Sequence, residues 1–371
     1  MKRRIVMLGT SISTRGGISS VINIYRDCGL FERWGIAYLT THVEGRASQK
    51  TYLVIKAVLQ FAYLLLTRQV SLVHLHASSN ASFWRKSIFI LMARAARVPI
   101  LFHLHGGGFI DFYRASSDTA KRLIRIMLRK TSHIVVLSDY WKREIEAIVP
   151  SVQISPINNP IVVDEKISPI ESRPAGQILF LGKVCVEKGV FELVSAFTQV
   201  VKRYPHIVLH VAGEGELESL RGCIQRNNIN RSVKIHGWVK GELKKRLLAQ
   251  STILVLPSYA EGMPMAMLEA MGHGLTVIAT RVGAIPELLE NNIDGILIEP
   301  RRVDQLCGAL ETLLRDPLMS QQMGVRAAQK IRDRFLPSKI LPLIETVYRG
   351  LLSVSDAQPA AVDRIGGSLG Q

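Results

Sequence analysis

TILVLPSYAEGMPMAMLEAMGHG, residues Thr252–Gly274, opens on a nearly unbroken apolar run, Thr252–Pro257. So short a run suits a strand buried on both faces, as in parallel sheets, better than a helix. A polar turn follows, with the step Gly262-Met263-Pro264, and then good helix formers from Met265 to Met271. Gly272 and Gly274 close the helix as stop signals. Strand, glycine turn and helix start in succession make an anion site, because the first N–H groups of the helix lack partners and its dipole is positive there. Glu261 lies in the turn and Glu269 inside the helix. A carboxylate accepts hydrogen bonds from two hydroxyls at once, which fixes orientation as well as affinity. An anion site flanked by two such groups suits a ligand with charge in the middle and polyols at both ends, a sugar nucleotide. A bare pair of glutamates would as readily be solvated; the strand–turn–helix setting favours the ligand.

Outward from this stretch the same alternation repeats. In the first half, strands are predicted at Arg4–Thr10, Ala37–Thr41, Leu72–His76, Ile100–His103, Ser132–Ser138 and Ile154–Pro160. Helices are predicted near Ser19–Arg26, Tyr52–Thr67, Trp84–Ala96, Asp118–Lys130 and Tyr140–Ile148, the last with Asp139 as N-cap. In the second half, strands Ile178–Leu181, Ile207–Ala212, Val233–His236 and Thr276–Ala279 alternate with helices Val190–Tyr204, Leu217–Asn227 and Glu242–Gln250. Helices Val303–Arg315 and Met319–Arg334 follow, with Pro317 as an interruption between them. This alternation predicts an α/β protein with doubly wound parallel sheets. At 371 residues the chain exceeds one ordinary core. The Pro-bearing, charged and aperiodic segment Asp164–Gln177 marks the boundary. Residues 1–165 then form one domain, 166–177 a linker and 178–335 a second domain; the Gly-, Ser-, Ala- and Pro-rich end, 353–371, is expected to be a disordered tail.

Further glycine turns follow other strands. Gly16-Gly17 precedes the first helix, where backbone N–H groups hold phosphate, although glycine also serves there for backbone freedom alone. His103-Leu104-His105-Gly106-Gly107-Gly108 ends another strand, and ligand sites in such sheets lie at the carboxyl ends of strands. Period two puts His103 and His105 on one face, so the pattern does not say which serves a site, or whether either is only a satisfied core histidine. Gly182-Lys183 and Lys188-Gly189 bring two ammonium groups to a strand end, suitable point charges for a diphosphate. Gly213-Glu214-Gly215 and Gly237-Trp238-Val239 close two more strands. There is no Asp-x-Asp pair, and metal-independent chemistry with no cofactor is expected.

The net charge of +17 is uneven: residues 1–170 carry 23 Lys+Arg against 10 Asp+Glu, and the remainder 24 against 20. Such a half-chain suits nucleic acid, an anionic membrane face, or solubility alone. No nucleic-acid motif accompanies it and aromatics are not interleaved with the charges, which favours the membrane. In Asp118–Lys130, Lys121, Arg125 and Arg129 share a stripe with Arg122 beside it, and Leu123, Ile124, Met127 and Leu128 lie opposite, a pattern that suits a membrane surface. Tyr52–Thr67 is unusually apolar for a surface helix, fit for core packing or for lipid contact, but too short and too interrupted by Lys56 and Gln60 to span a bilayer. The basic start Met1-Lys-Arg-Arg is followed by too short an apolar run for a signal peptide. Cys28, Cys185, Cys223 and Cys307 show no metal spacing and suit reduced thiols in the cytoplasm.

Glu261-Gly-x-Pro-x4-Glu269-Ala-Met resembles the EX7E signature of glycosyltransferase family 4, the retaining family with the GT-B fold, of the bacterial polysaccharide-assembly type. The resemblance implies two Rossmann-like domains facing a central cleft, the first on the acceptor side and the second holding the nucleotide sugar. It implies that Glu261 contacts the donor hexose, Glu269 the ribose, and the backbone of Gly262, Met263, Pro264 and Met265 the diphosphate. Gly16 and Gly17 match a loop near that diphosphate, and the histidine–glycine turn matches one whose histidine contacts the sugar; its glycine run favours His105, with His103 as competitor. Gly182-Lys183 and Lys188-Gly189 resemble a Gly-Arg…Lys-Gly motif with lysine in place of arginine, which removes a planar bidentate contact and is expected to alter donor affinity or phosphate geometry. Val239 matches the position whose backbone meets the nucleobase. Asn158-Asn159-Pro160 matches the turn before the linker, and residues 336–352 the helix that crosses back to the first domain. Thr280-x-x-Gly283-Ala284-x-Pro286-Glu287 matches a family turn with Ala284 in place of glycine, and a helix starting on proline explains Glu287 structurally.

The expected activity is retaining transfer of a hexosyl group from a UDP- or GDP-sugar to a hydroxyl of a lipid-linked saccharide, in cell-surface polysaccharide synthesis. Glu261, His105, Lys183 and Lys188 are the expected catalytic residues, with no covalent nucleophile required. The expected partners are the nucleotide sugar, the saccharide acceptor and the anionic inner face of the plasma membrane, where the protein would be peripheral, and not nucleic acid. A sugar-nucleotide epimerase of the same fold and a non-enzymatic nucleic-acid binder remain as alternatives.

Overall fold

The computed structural model describes residues 3–163 and 173–356. Along the chain come β1 (Arg4–Thr10), α1 (Gly17–Asp27), α2 (Leu30–Trp34), β2 (Ala37–His42), α3 (Ala47–Leu66), β3 (Val70–Ala77), α4 (Ala81–Ala95) and β4 (Ile100–Leu104). There follow α5 (Phe109–Ala115), α6 (Asp118–Arg129), β5 (His133–Val136), α7 (Asp139–Ile148) and β6 (Ile154–Pro156). The second series is β7 (Gln177–Leu181), α8 (Val190–Val200), β8 (Val208–Ala212), α9 (Leu217–Arg226), β9 (Val233–Gly237), α10 (Gly241–Gln250) and β10 (Ile253–Leu256). It continues with α11 (Met265–Gly272), β11 (Thr276–Thr280), α12 (Ile285–Leu288), β12 (Gly295–Ile298), α13 (Val303–Arg315), α14 (Pro317–Arg334) and α15 (Pro337–Asp356).

These elements form two compact units, each built on a six-stranded parallel sheet. The first sheet runs β2-β1-β3-β4-β5-β6 and the second β12-β11-β10-β7-β8-β9. Every residue of β4, β5, β10, β11 and β12 is buried, which is why these strands read as continuous apolar runs rather than alternating ones. In the second unit α8 and α13 cover one side of the sheet, with Phe180, Phe197, Leu209 and Leu310 in the shared core. In each sheet the chain order reverses once, at β1/β3 and at β7/β10, and ligands of such sheets bind outside the carboxyl ends of strands at that reversal.

Apart from Ser138–Tyr140, which also belong to it, the second unit begins at Asn158, ahead of the boundary expected at 165. The reason is local: Asn159 donates from its Nδ2 to the Met263 carbonyl, and the Ile161 N–H donates to the Phe335 carbonyl at 2.9 Å. Residues 164–172 of the expected linker lie outside the described residues. From Ile340 onward α15 belongs to the first unit. There Tyr348 packs edge-on to Trp34 at 5.3 Å, and Glu345 pairs with Arg33 at 2.7 Å. The helix continues to Asp356, so the first four residues of the expected tail are helical; residues 357–371 lie outside the described residues.

Other differences have physical causes. The break expected at Pro317 separates α13 from α14, but α14 starts on Pro317 itself rather than at Met319, with the Asp316 side chain accepting from the Met319 N–H at 2.9 Å; proline is at home where no N–H partner is needed. Asp139 opens α7 as its first residue rather than capping it. The strand expected at Ile154–Pro160 pairs only over Ile154–Pro156. Helices α2 and α5, seven residues or fewer, were too short to register as periodic patterns. All four cysteines are free.

Gly324 of α14 meets the loop after α11: a Cβ there would lie 2.0 Å from the Gly274 carbonyl oxygen. Gly308 of α13 faces open space, with nothing within 4 Å of such a Cβ. Gly324→Ala is expected to destabilise by about 1–3 kcal/mol through overpacking, whereas Gly308→Ala should stabilise by roughly 0.5–1 kcal/mol through helix propensity. Urea denaturation of the two variants measures both.

Candidate active site

The loops leaving the carboxyl ends of β7 and β10 carry Lys183, Lys188 and Glu261 to the reversal of the second sheet. Glu261 is only 9% exposed. Ser258 Oγ donates to its Oε1 at 2.8 Å, and Lys188 Nζ reaches the same oxygen at 2.5 Å. The turn is tied down on both sides. Thr280 Oγ1 of β11 donates to the Ser258 carbonyl, the Tyr259 N–H donates to the Glu187 carbonyl at 2.9 Å, and the Tyr259 hydroxyl donates to Glu192 of α8. The Arg301 guanidinium lies 4.5 Å over the Tyr259 ring. Lys188 is presented by Gly189, whose φ of 66° is left-handed and whose missing Cβ would sit 2.1 Å from the Pro257 carbonyl oxygen. Only glycine meets both conditions.

Gly262, Met263, Pro264 and Met265 are buried behind this turn, and Asn159 Nδ2 donates to the Met263 carbonyl at 3.4 Å. The first intrahelical bonds of α11 run from Met267 and Leu268 to the Pro264 carbonyl, so the Met265 and Ala266 amides precede them at the positive end of the helix. Farther along, Glu269 is held by Lys244 of α10, whose Nζ lies 2.6 Å from Oε1 and 2.5 Å from Oε2. Lys183 is exposed, within electrostatic reach of Glu187, and is not drawn into the Glu261 pair. Gly182 lies under the next loop: a Cβ on Gly213 would fall 1.7 Å from the Gly182 carbonyl oxygen, which gives the Gly213-x-Gly215 step a packing role. Val239 is buried just beyond β9, where Gly237 turns the chain at φ 64°.

The remaining expected residues belong to the first unit. Gly16 adopts φ 132°, open only to glycine, with nothing within 4 Å of a Cβ there. Gly17 starts α1, and Ser19 Oγ ties the loop by donating to the Thr14 and Gly16 carbonyls. His103 is fully buried inside β4, whereas His105 follows the strand, half-buried, with its N–H donating to the Ala77 carbonyl at 2.8 Å. The two rings stack at 4.1 Å, on one face as period two requires.

Two family models match the chain: Glycosyltransferase Family 4 over residues 26–165 and Glycosyl transferases group 1 over residues 175–316. The chain is a family 4 glycosyltransferase. The alpha-D-kanosaminyltransferase of Streptomyces kanamyceticus is 26% identical over 299 residues, 74% of this chain and 76% of the relative. The UDP-Gal:alpha-D-GlcNAc-diphosphoundecaprenol alpha-1,3-galactosyltransferase of Escherichia coli is 26% identical over 313 residues, 79% of each chain. Among solved structures, HepE of Anabaena, crystallised with UDP, shares the fold at a TM-score of 0.74 and 19% identity, covering 94% of this chain and 100% of its own. The two sheets are accordingly those of a GT-B glycosyltransferase, and the epimerase and nucleic-acid alternatives are set aside.

Around His105 the enzyme holds a cluster that no sequence pattern singled out. His74 and His76 of β3 lie beside His103, and the three offer ring nitrogens within 4.8 Å of one another. No carboxylate or thiolate joins them, and the buried Lys86 amine lies within electrostatic reach of His76, so a dication would add charge with nothing to offset it. The cluster is better described as packed neutral imidazole. His74 Nδ1 bonds to the Tyr348 hydroxyl at 2.7 Å and His76 Nδ1 to His105 Nε2 at 2.8 Å. Neither nitrogen of His103 has a hydrogen-bond partner among the described residues. Burial, then the neighbouring rings, lowers all three: His74 to about 3, His76 and His103 well below the ordinary histidine value. The repeated His-x-His spacing in β3 and β4 was the available signal; Lys244 and Asn159 gave none, since their partners are distant in sequence, whereas Ser258 lies only three residues before Glu261.

These rings are neutral when folded but take up protons near pH 6.5 when unfolded. Stability is therefore complete above about pH 6.5 and falls as pH drops toward about 3, the folded value of His74. Each ring adds about 1.4 kcal/mol per pH unit to that slope. His103→Leu removes one titrating ring and two unpartnered nitrogens, and denaturant unfolding between pH 8 and pH 4 should show a shallower loss of stability than in the parent enzyme. An equal slope would show that His103 is protonated in the folded state.

Proposed function

We propose that this enzyme transfers a hexosyl group from a UDP- or GDP-sugar to a hydroxyl of a lipid-linked saccharide, with retention of configuration, during cell-surface polysaccharide assembly at the inner face of the plasma membrane. The observation that carries this reading is the nearly buried Glu261, aimed by Ser258 and paired to Lys188 at the strand reversal of the second unit. In the free enzyme the carboxylate and the ammonium satisfy each other. A donor replaces that pairing with better-matched partners: sugar hydroxyls for Glu261 and diphosphate oxygens for Lys188. Glu269 plays the same part for the ribose, released from Lys244. Charge building on the departing diphosphate is met by Lys183, Lys188 and the amides at the start of α11, a preorganised field that needs neither a covalent nucleophile nor a resident metal. His105 stands on the acceptor side, and Gly16, with open space where a Cβ would stand, leaves room at the start of α1 for phosphate.

Support for the donor class comes from HepE, solved with UDP and with UDP-glucose. Support for a lipid-linked acceptor comes from the E. coli relative, whose named substrate is a diphosphoundecaprenol-linked sugar, and from the basic first half of the chain. Thermal unfolding with a panel of UDP- and GDP-sugars tests the donor. The cognate donor should stabilise by about 2.7 kcal/mol at a hundredfold excess over its Kd, and no stabilisation by any of them would refute the reading. Glu261→Gln keeps shape and hydrogen bonding but removes the charge. It should bring transfer down about a hundredfold or more with the fold intact by circular dichroism, and transfer by the parent enzyme should persist in EDTA.

A further inference from the structure

In the first unit α3 packs beside α4, and α4 beside α6. Helix α3 is apolar on both sides. Its inner side buries Ala57 and Phe61, the latter edge-on to Phe89 of α4 at 5.6 Å. Its outer side presents Tyr52, Ile55, Leu59, Tyr63 and Leu66, each between 54% and 84% exposed. Their spacing of three and four residues sets them on one stripe. Helix α4 likewise turns Ile88 and Leu91 outward, and Leu123 of α6, on the side opposite the basic stripe, is exposed as well. Apolar patches of this extent are rare on free surfaces and mark places where something binds. The charge pattern says what. From Gly45 to Ile110 there is no Asp or Glu and there are eight Lys or Arg; six of these, Arg46, Lys50, Lys56, Arg68, Arg94 and Arg97, are exposed.

We propose that the α3–α4 face seats the enzyme on an anionic bilayer, with the stripe from Tyr52 to Leu66 lying in the boundary between headgroups and acyl chains and the surrounding cations on lipid phosphates. An apolar strip on a stretch of chain that carries exposed cations and no carboxylate is complementary to an anionic lipid surface, where each basic residue near the headgroups adds attraction. A second copy would set the same cations against each other, since a two-fold contact pairs a patch with itself. The helix lies on the membrane rather than across it. Its inner side is committed to β2 and α4, and no described helix is long and apolar enough to cross. Tyr52 and Tyr63 suit that depth, having an apolar ring and a polar tip. This deepens the lipid-linked acceptor reading, but its test needs neither donor nor acceptor.

The full chain is floated with vesicles of phosphatidylcholine containing phosphatidylglycerol, and with phosphatidylcholine alone, at low and high salt. Parent enzyme should float with the anionic vesicles, less with neutral ones and less at high salt. The pair Leu59→Glu with Tyr63→Glu should lower the partition about tenfold or more, and Arg94→Glu with Arg97→Glu should weaken it and flatten the salt dependence. Both pairs are on the surface and should keep the parent melting temperature and nucleotide-induced stabilisation. Parent-like flotation of the Leu59/Tyr63 pair overturns the proposal. So does failure of the parent enzyme to float, and so does a dimer by light scattering that this pair dissolves in the absence of lipid. Flotation without any affinity for UDP- or GDP-sugars would leave the seat standing and sink the proposed donor; transfer without flotation would do the reverse.

Discussion

Removing a carboxylate from water is costly unless its hydrogen bonds and its charge are both answered, and much of the second unit is arranged to answer those of Glu261. Ser258 supplies the hydrogen bond and Lys188 the charge. Ser258 is held in turn by Thr280 of the neighbouring strand, and Lys188 is offered by a glycine that lets the backbone of Pro257 come close. The parallel sheet makes this possible. β7 and β10 are neighbours in space at the reversal of strand order, so two loops far apart in sequence leave the sheet side by side. A carboxylate and an ammonium held this way are poised for exchange of partners, because a polyol and a diphosphate satisfy each separately without leaving either charge bare.

The first unit solves a different problem. Its polar interior is a set of imidazoles kept neutral by burial, with Tyr348 of α15 completing the bond to His74. The chain thus returns to its first unit for one hydroxyl that caps a buried ring nitrogen, with Trp34 and Arg33 fastening the same helix. His105 sits at the edge of this cluster, where a strand end meets solvent. The outer side of the unit is apolar and cationic where a soluble protein would usually mix charges of both signs.

Most of the architecture was legible from periodicity. Strands buried on both faces announce themselves as short apolar runs, and helices between them as patterns of period near 3.6, so the twofold α/β organisation followed from residues alone. Element ends were less legible. Pro317 does mark the break between two helices, but it belongs to the second as its first residue, where its missing N–H is not needed. The outward apolar stripe of α3 was compatible with either core packing or lipid contact, because periodicity reports which residues share a face and not which face is covered.

What the sequence determined by itself was the strand–turn–helix around Glu261 and Glu269, the glycine turns at strand ends, and the basic bias of the first half, since each depends on neighbours along the chain or on composition. What only the tertiary structure decided was who answers those groups: Lys188 and Ser258 for Glu261, Lys244 for Glu269, Tyr348 for His74, and which of His103 and His105 meets solvent. Those pairings join residues separated by up to hundreds of positions, and such contacts are set by sheet order and helix packing, which bring strand ends together irrespective of their distance along the chain.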